Sequence, residues 1–180
     1  NFFSLNLEMV RGSLEQLPWV RNVEVRLIWP ARLEVKVEEH RPAARWGEGR
    51  GELVNSYGEV FVAALNEEES LALPLLFGPA GTAPEVLKRY SELVGTFKTV
   101  GEKPVQVTLS PRLAWQLKLE RGMLVDLGRE QPKSPVGVRL QRFIEVYPEL
   151  VAKRAQRPAV VDLRYPNGFA IRVAGEVKGK

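Results

Sequence analysis

The chain has 180 residues, 26 Lys+Arg against 22 Asp+Glu, a formal net charge of +4, a single histidine and no cysteine. A chain of this length can bury roughly 70% of the surface its unfolded form exposes, so it supports one or two domains without a staple. The absence of cysteine excludes disulfides, thiolate zinc sites and cysteine nucleophiles. Basic residues are interleaved with glutamates and do not line up in a stripe, which argues against nucleic-acid binding. No window holds the ~18 apolar residues that crossing a bilayer requires.

Near the N-terminus, Leu7, Val10, Leu14 and Leu17 recur at helical spacing and predict an amphipathic helix. Val23, Val25, Leu27 and Trp29 then alternate with Asn22, Glu24 and Arg26. After Pro30-Ala31 the alternation resumes with Leu33, Val35 and Val37 against Arg32, Glu34, Lys36 and Glu38. Period-2 patterning on both sides of a turn predicts a hairpin whose apolar face, Trp29 included, is covered. Residues 45–51, from Arg45 through Gly47-Glu48-Gly49, read as a linker. Trp19 and Trp46, which flank hairpin and linker, are expected to pack the two regions together.

Further on, Glu52–Val54 and Glu59–Ala63 predict a hairpin around Asn55-Ser56-Tyr57-Gly58. Thr82-Ala83-Pro84-Glu85 has the form of a capping box, and Val86, Leu87, Tyr90, Leu93, Val94 and Phe97 mark the buried stripe of the helix behind it. Three strands follow as a meander, Val105–Leu109, Ala114–Leu119 and Met123–Leu127, with Trp115 facing inward and Arg121-Gly122 as a turn. Ser134-Pro135 opens a second helix with Val136, Leu140, Phe143, Ile144 and Tyr147 inside, which Pro148 is expected to interrupt. The chain closes with a strand Ala159–Tyr165, a tight turn at Pro166-Asn167-Gly168, and a strand Phe169–Val173. Tyr165 and Phe169 bracket that turn, and the pattern leaves open whether they are core aromatics or anchors on an exposed edge.

Little in the chain points to catalysis. His40 stands beside Glu38 and Glu39 with no nucleophile placed near it by motif. The run Gly47-Glu48-Gly49 lacks the Lys-Ser/Thr of a phosphate loop and precedes a strand, not a helix. Glu67-Glu68-Glu69 reads as a solvated loop without the partners that a metal site needs. Neither a cofactor nor an enzymatic activity is expected.

The order Leu17-Pro18-Trp19-Val20, Val23-Glu24-Val25-Arg26, Trp29-Pro30, Leu33 to Glu38 and Pro42-Ala43-Ala44-Arg45-Trp46 resembles the FtsQ/DivIB cell-division family in its proteobacterial branch. The resemblance continues through Leu73-Pro74-Leu75-Leu76-Phe77-Gly78-Pro79, Ala114-Trp115-Gln116-Leu117, Arg142 to Pro148 and Val161-Asp162-Leu163-Arg164-Tyr165. It implies an α+β fold: a partial POTRA domain (helix plus β-hairpin) over residues 1–45, a mostly antiparallel β domain with two helices over 46–173, and a disordered tail over 174–180. The family's POTRA unit runs β-α-α-β-β, so its first strand and first helix would lie before Asn1. The resemblance further implies a non-enzymatic scaffold in the periplasm, anchored in the inner membrane by an upstream transmembrane helix and concentrated at the septum. Its implied partners are FtsB and FtsL, bound by β-strand addition at the C-terminal edge, with other divisome proteins possible. The partner-binding residues that carry over are Arg112, Arg164, Tyr165, Asn167, Gly168, Phe169 and Val173. Val173 stands where the enterobacterial pattern has a tryptophan, which moves the expected aromatic anchor to Phe169. The other readings weighed are a POTRA-bearing outer-membrane assembly or secretion module, and an unrecognised hydrolase.

Overall fold

Alternation and helical periodicity place most of the secondary structure where the sequence puts it. The structure, a computed structural model, describes residues 2–49, 51–153 and 157–173; the expected tail at 174–180 lies outside the described residues. Helix α1 (Phe2–Glu15) packs on β1 (Val20–Ile28), which pairs antiparallel with β2 (Arg32–Glu39) in a two-stranded ribbon. The register sets Val23 opposite Val37, Val25 opposite Val35 and Leu27 opposite Leu33, so the apolar residues share one face.

That face is not covered along its whole length. Val23 is 2% exposed, but Leu27 is 51% and Trp29 is 89% exposed, so the expectation of an inward Trp29 is overturned. Leu7, Glu8 and Arg11 of α1 lie against residues 22–26 of β1, and the apolar residues of β2 that were expected on the covered face, Leu33, Val35 and Val37, are 40–44% exposed. Leu17, beyond the end of α1, is exposed as well. We therefore expect Val23→Asp to destabilise by roughly 3 kcal/mol, because it buries an unpaired carboxylate. Leu27→Asp should stay within about 0.5 kcal/mol of the parent, as surface substitutions do. Chemical denaturation of the two variants tests the difference.

The remaining strands form one nine-stranded sheet in the order β11-β10-β9-β8-β7-β6-β3-β4-β5. In chain order these are β3 (Pro42–Trp46), β4 (Glu52–Asn55), β5 (Val60–Val62), β6 (Leu75–Phe77), β7 (Pro104–Leu109), β8 (Ala114–Leu119), β9 (Leu124–Arg129), β10 (Pro158–Asp162) and β11 (Ala170–Val173). Five of the eight contacts are antiparallel; β3–β6, β6–β7 and β9–β10 are parallel. Helices α3 (Ala83–Lys98) and α4 (Val136–Ala152) close one face, where Leu93, Phe97, Leu76, Trp115 and Phe143 are fully or almost fully buried.

Several local readings are corrected. Arg45 and Trp46 belong to β3, which pairs with β4, so the expected linker begins inside the sheet; Gly47 and Gly51 flank the turn into β4, with φ +64° and +91°. Trp46 belongs to the main core, so of these two tryptophans it is Trp19 that packs between the two regions, edge-on to Phe61 at 5.6 Å. The acidic run is a short helix, α2 (Glu67–Ala72), whose Asn66 cap accepts from Glu69 N while Glu69 reaches back to Asn66 N. At α3 the Thr82 hydroxyl donates to Pro79 O and does not cap the helix. Helix α4 continues through Pro148, held by the burial of Ile144 and Tyr147 just before it.

Two polar clusters lock these parts. At the junction, Arg21 lies between Glu38 and Glu59 (3.0 and 2.8 Å) and over the Tyr57 ring at 4.0 Å. Buried Asn55 accepts both Tyr57 N and Glu59 N on Oδ1, so its Nδ2 must donate, to Glu59 Oε2 at 2.7 Å and to His40 Nδ1 at 3.0 Å. His40 is thus held as an acceptor and stacks on Phe61 at 4.2 Å. The hydrogen bonds from Arg21, and then from Asn55, hold the Glu59 carboxyl below its ordinary range.

In the second cluster, the buried Glu102 accepts on Oε1 from Tyr147 Oη (2.8 Å), Arg121 Nη1 (2.9 Å) and Arg157 Nη1 (3.1 Å). It ties α4 to the β8–β9 turn and to the start of β10. Burial, and next the bond to Glu102, push the Tyr147 phenol upward. Glu102→Ala should cost about 2 kcal/mol and lower Tm by roughly 4–8 °C, and Tyr147→Phe about half as much; calorimetric melts measure both.

Candidate interaction edge

β11 is the last strand of the sheet, paired on one side with β10 and with no strand on the other among the described residues. Its position follows from α4, which returns the chain so that β10 lies parallel to β9, Asp162 beside Asp126. β10 ends at Asp162 and β11 begins at Ala170, opposite each other. The tight turn expected at Pro166-Asn167-Gly168 is therefore a longer connection, residues 163–169, and Tyr165 and Phe169 lie in it and not in strands.

Side chains around Asp162 open the turn. Leu163 is buried and its N–H donates to Asp126 O at 2.8 Å, while Asp162 Oδ1 accepts Arg164 N at 3.0 Å, an Asx turn. Arg164 returns its guanidinium to the same carboxylate, Nε to Oδ1 at 2.9 Å and Nη2 to Oδ2 at 2.6 Å, with Asp126 Oδ2 3.5 Å from Nε. This hydrogen bonding holds the Asp162 carboxyl below its ordinary range. A carboxylate so depressed contributes fully above its unfolded-state pKa, and that contribution is lost as the pH falls through the folded value. Arg142 on α4 donates to Pro166 O at 2.6 Å, and the half-buried Phe169 meets Phe143 edge to face at 5.5 Å.

The seven residues singled out by sequence are brought only partly together. Arg164, Tyr165, Asn167, Gly168 and Phe169 share the connection next to β11, with Tyr165 54% exposed and Asn167 exposed. Val173 lies at the far end of β11, opposite Pro158. Arg112 is exposed on the β7–β8 turn, not on a strand; it stands at the same end of the sheet as the connection, since Ala114 pairs with Arg129 and Asp126 with Asp162. Gly168 is not in the left-handed region, and a Cβ there would meet nothing within 4 Å; it is not the residue that makes the turn.

Sequence reasoning missed Asp126, Arg139, Arg142 and Gly128. Gly128 sits at φ +66° beside an irregularity in the β8–β9 pairing, and a Cβ on it would come within 2.8 Å of Arg164 Cγ. The buried Arg139 donates to Arg129 O at 2.6 Å, tying the first turn of α4 to the end of β9. The Leu-Gly-Arg run in β9 was the available signal, because a glycine inside a strand marks a bulge or a close approach.

Two family models match this chain: the C-terminal domain of cell division protein FtsQ/DivIB over residues 44–164, and the FtsQ-type POTRA domain over residues 1–40. The chain belongs to the FtsQ/DivIB family. Among curated relatives, cell division protein FtsQ of Burkholderia pseudomallei is 43% identical over 175 residues, 97% of this chain and 69% of its own length. FtsQ of Bordetella pertussis is 38% identical over 188 residues, covering 97% and 68%. FtsQ of Shewanella oneidensis is 43% identical over 171 residues, covering 95% and 62%. The helix and ribbon thus correspond to the FtsQ-type POTRA match, and strands β4 to β10 with most of β3 to the FtsQ/DivIB match, β11 lying beyond its end; together they give the α+β fold.

Gly128→Ala should both strain the backbone and displace Arg164 from Asp162. We expect a loss of roughly 2 kcal/mol or more together with faster amide exchange over 163–169, read by hydrogen exchange.

Proposed function

We propose that this chain is the periplasmic, non-enzymatic scaffold portion of a divisome protein, anchored in the inner membrane by a helix preceding it and concentrated at the septum. It binds FtsB and FtsL and through them helps recruit and regulate septal peptidoglycan synthesis. Membership in the FtsQ/DivIB family carries the division role. The observation that supports the binding mode is β11, a terminal strand with no strand on its outer side among the described residues, whose connection to β10 is held by Arg164 and Arg142.

An extended partner segment adds to β11, with main-chain hydrogen bonds giving affinity and flanking side chains giving selectivity. Tyr165, exposed on the fastened connection, acts as an aromatic anchor. Arg112, exposed at the same end of the sheet, offers a charge to an acidic partner side chain. Phe169 has a double role, because its ring already rests on Phe143. Asn167 and Gly168 present backbone at the rim, and Val173 borders the far end of the strand.

Titration calorimetry with the periplasmic segment of FtsB, alongside thermal melts, tests this reading. Tyr165→Ala should weaken binding about 30-fold, the equivalent of roughly 2 kcal/mol, with Tm unchanged. Phe169→Ala should lower both affinity and Tm. Unaltered affinity in both variants would overturn docking at this edge.

A further inference from the structure

On the face of the sheet opposite α3 and α4, a concavity of about 850 Å³ opens between β3, β4, β6 and the segment that follows β5. Ala44 and Trp46 of β3 point into the helix-covered core, so Arg45 between them points to the other face. There it lies in register beside Leu53 of β4 and Leu75 of β6. Leu53, Leu75, Phe77, Ala63 and Leu65 line the same concavity.

Arg45 is poorly satisfied for a guanidinium in such surroundings. Its Nε is buried without a hydrogen-bond partner, and Nη2 makes one long bond, 3.3 Å, to Leu73 O. Among the described residues no carboxylate forms an ion pair with it; Glu52, which also lines the concavity, folds its carboxylate against Gly49. A cation partly withdrawn from water without a counter-ion is costly. The concavity is otherwise mostly apolar, with Glu48 and Glu52 as its two carboxylates beside the glycines and Arg45 between Leu53 and Leu75, and apolar walls with a few placed polar groups are the usual form of a ligand site. The volume falls within the range of about 300–1,000 Å³ typical of such sites.

We propose that this concavity binds a carboxylate borne on an apolar body, with the carboxylate on Arg45 and the apolar part against Leu53, Leu75 and Phe77. The C-terminus of a peptide ending in an aliphatic residue and a free aliphatic acid share this chemistry. The site is separate from β11, which lies at the other end of the strand order, and it stands whether or not β11 docks a partner.

The test uses the full chain, with acetyl-alanyl-alanyl-leucine, the same tripeptide as its C-terminal amide, and hexanoate as probes. Binding is followed by NMR through the Arg45 Nε–H resonance and the amides of Leu53 and Leu75. The tripeptide acid or hexanoate should bind saturably and shift these resonances. The amide should bind about tenfold more weakly or worse, as expected from losing a charge-assisted hydrogen bond. Saturation by the tripeptide alone assigns the site to protein C-termini, and saturation by hexanoate to free acids. Arg45→Gln should abolish the preference for acid over amide. Leu75→Trp, which narrows the concavity beside Arg45 and leaves Arg45 in place, should weaken binding, so the idea stays testable if Arg45→Gln fails to fold. No saturation by either acid up to about 10 mM, equal binding of acid and amide, or undiminished binding in a folded Leu75→Trp variant would each overturn it.

Discussion

The parallel pairing of β10 with β9 is the constraint from which the C-terminal half of the molecule follows. Two parallel neighbours cannot be joined by a tight turn; the chain must travel back along the sheet, and a helix is the usual means. Helix α4, 17 residues long, does this, and burial of Leu140, Phe143, Ile144 and Tyr147 against the sheet fixes where it lies. Glu102 then ties its later turns to the β8–β9 turn and the start of β10. With β10 so placed, β11 can add only on the outside, which makes it an edge.

The two faces of the nine-stranded sheet serve different ends. The face under α3 and α4 is the main core. On the other, Thr108, Gln116, Asp126 and Asp162 follow one another across β7, β8, β9 and β10, a polar row that ends in the Asp162–Arg164 clamp. Toward β5 this face turns apolar around Leu53, Phe61 and Ala63, and there Trp19 and the Arg21–Glu59–Asn55–His40 cluster join the ribbon to the sheet. The lone histidine is a joint residue, its ring stacked on Phe61 and bonded to Asn55 and its backbone N–H donating to Trp19 O.

Where a segment's fate depends on its own pattern, the sequence was a reliable guide. The meander, the ribbon register and the buried stripes of α3 and α4 came from period-2 and period-3.6 repeats that any covering surface would select. Short elements were harder: β6, three residues long, shows no usable periodicity, and α2 was concealed by three glutamates that favour the first turn of a helix as much as a loop. Beside β11, Tyr165, Asn167 and Phe169 were legible as residues of one turn. The shape of that turn was not, since Asp162 and Arg164 make it through a side-chain hydrogen bond and a pairing with a strand more than 30 positions away.

The amino-acid sequence by itself determined the α+β composition, the apolar faces and the family, because these rest on local periodicity and on ordered strings of residues. Only the tertiary structure decided which of those faces are covered, that Trp29 stands in solvent while Trp115 is buried, and that Arg164 faces Asp126 and Asp162. It also decided that Arg45 stands over a mostly apolar hollow with no ion-pair partner among the described residues. Burial and charge pairing across strands depend on which elements become neighbours, and neighbourhood in this sheet is set by crossovers whose ends lie far apart in the chain.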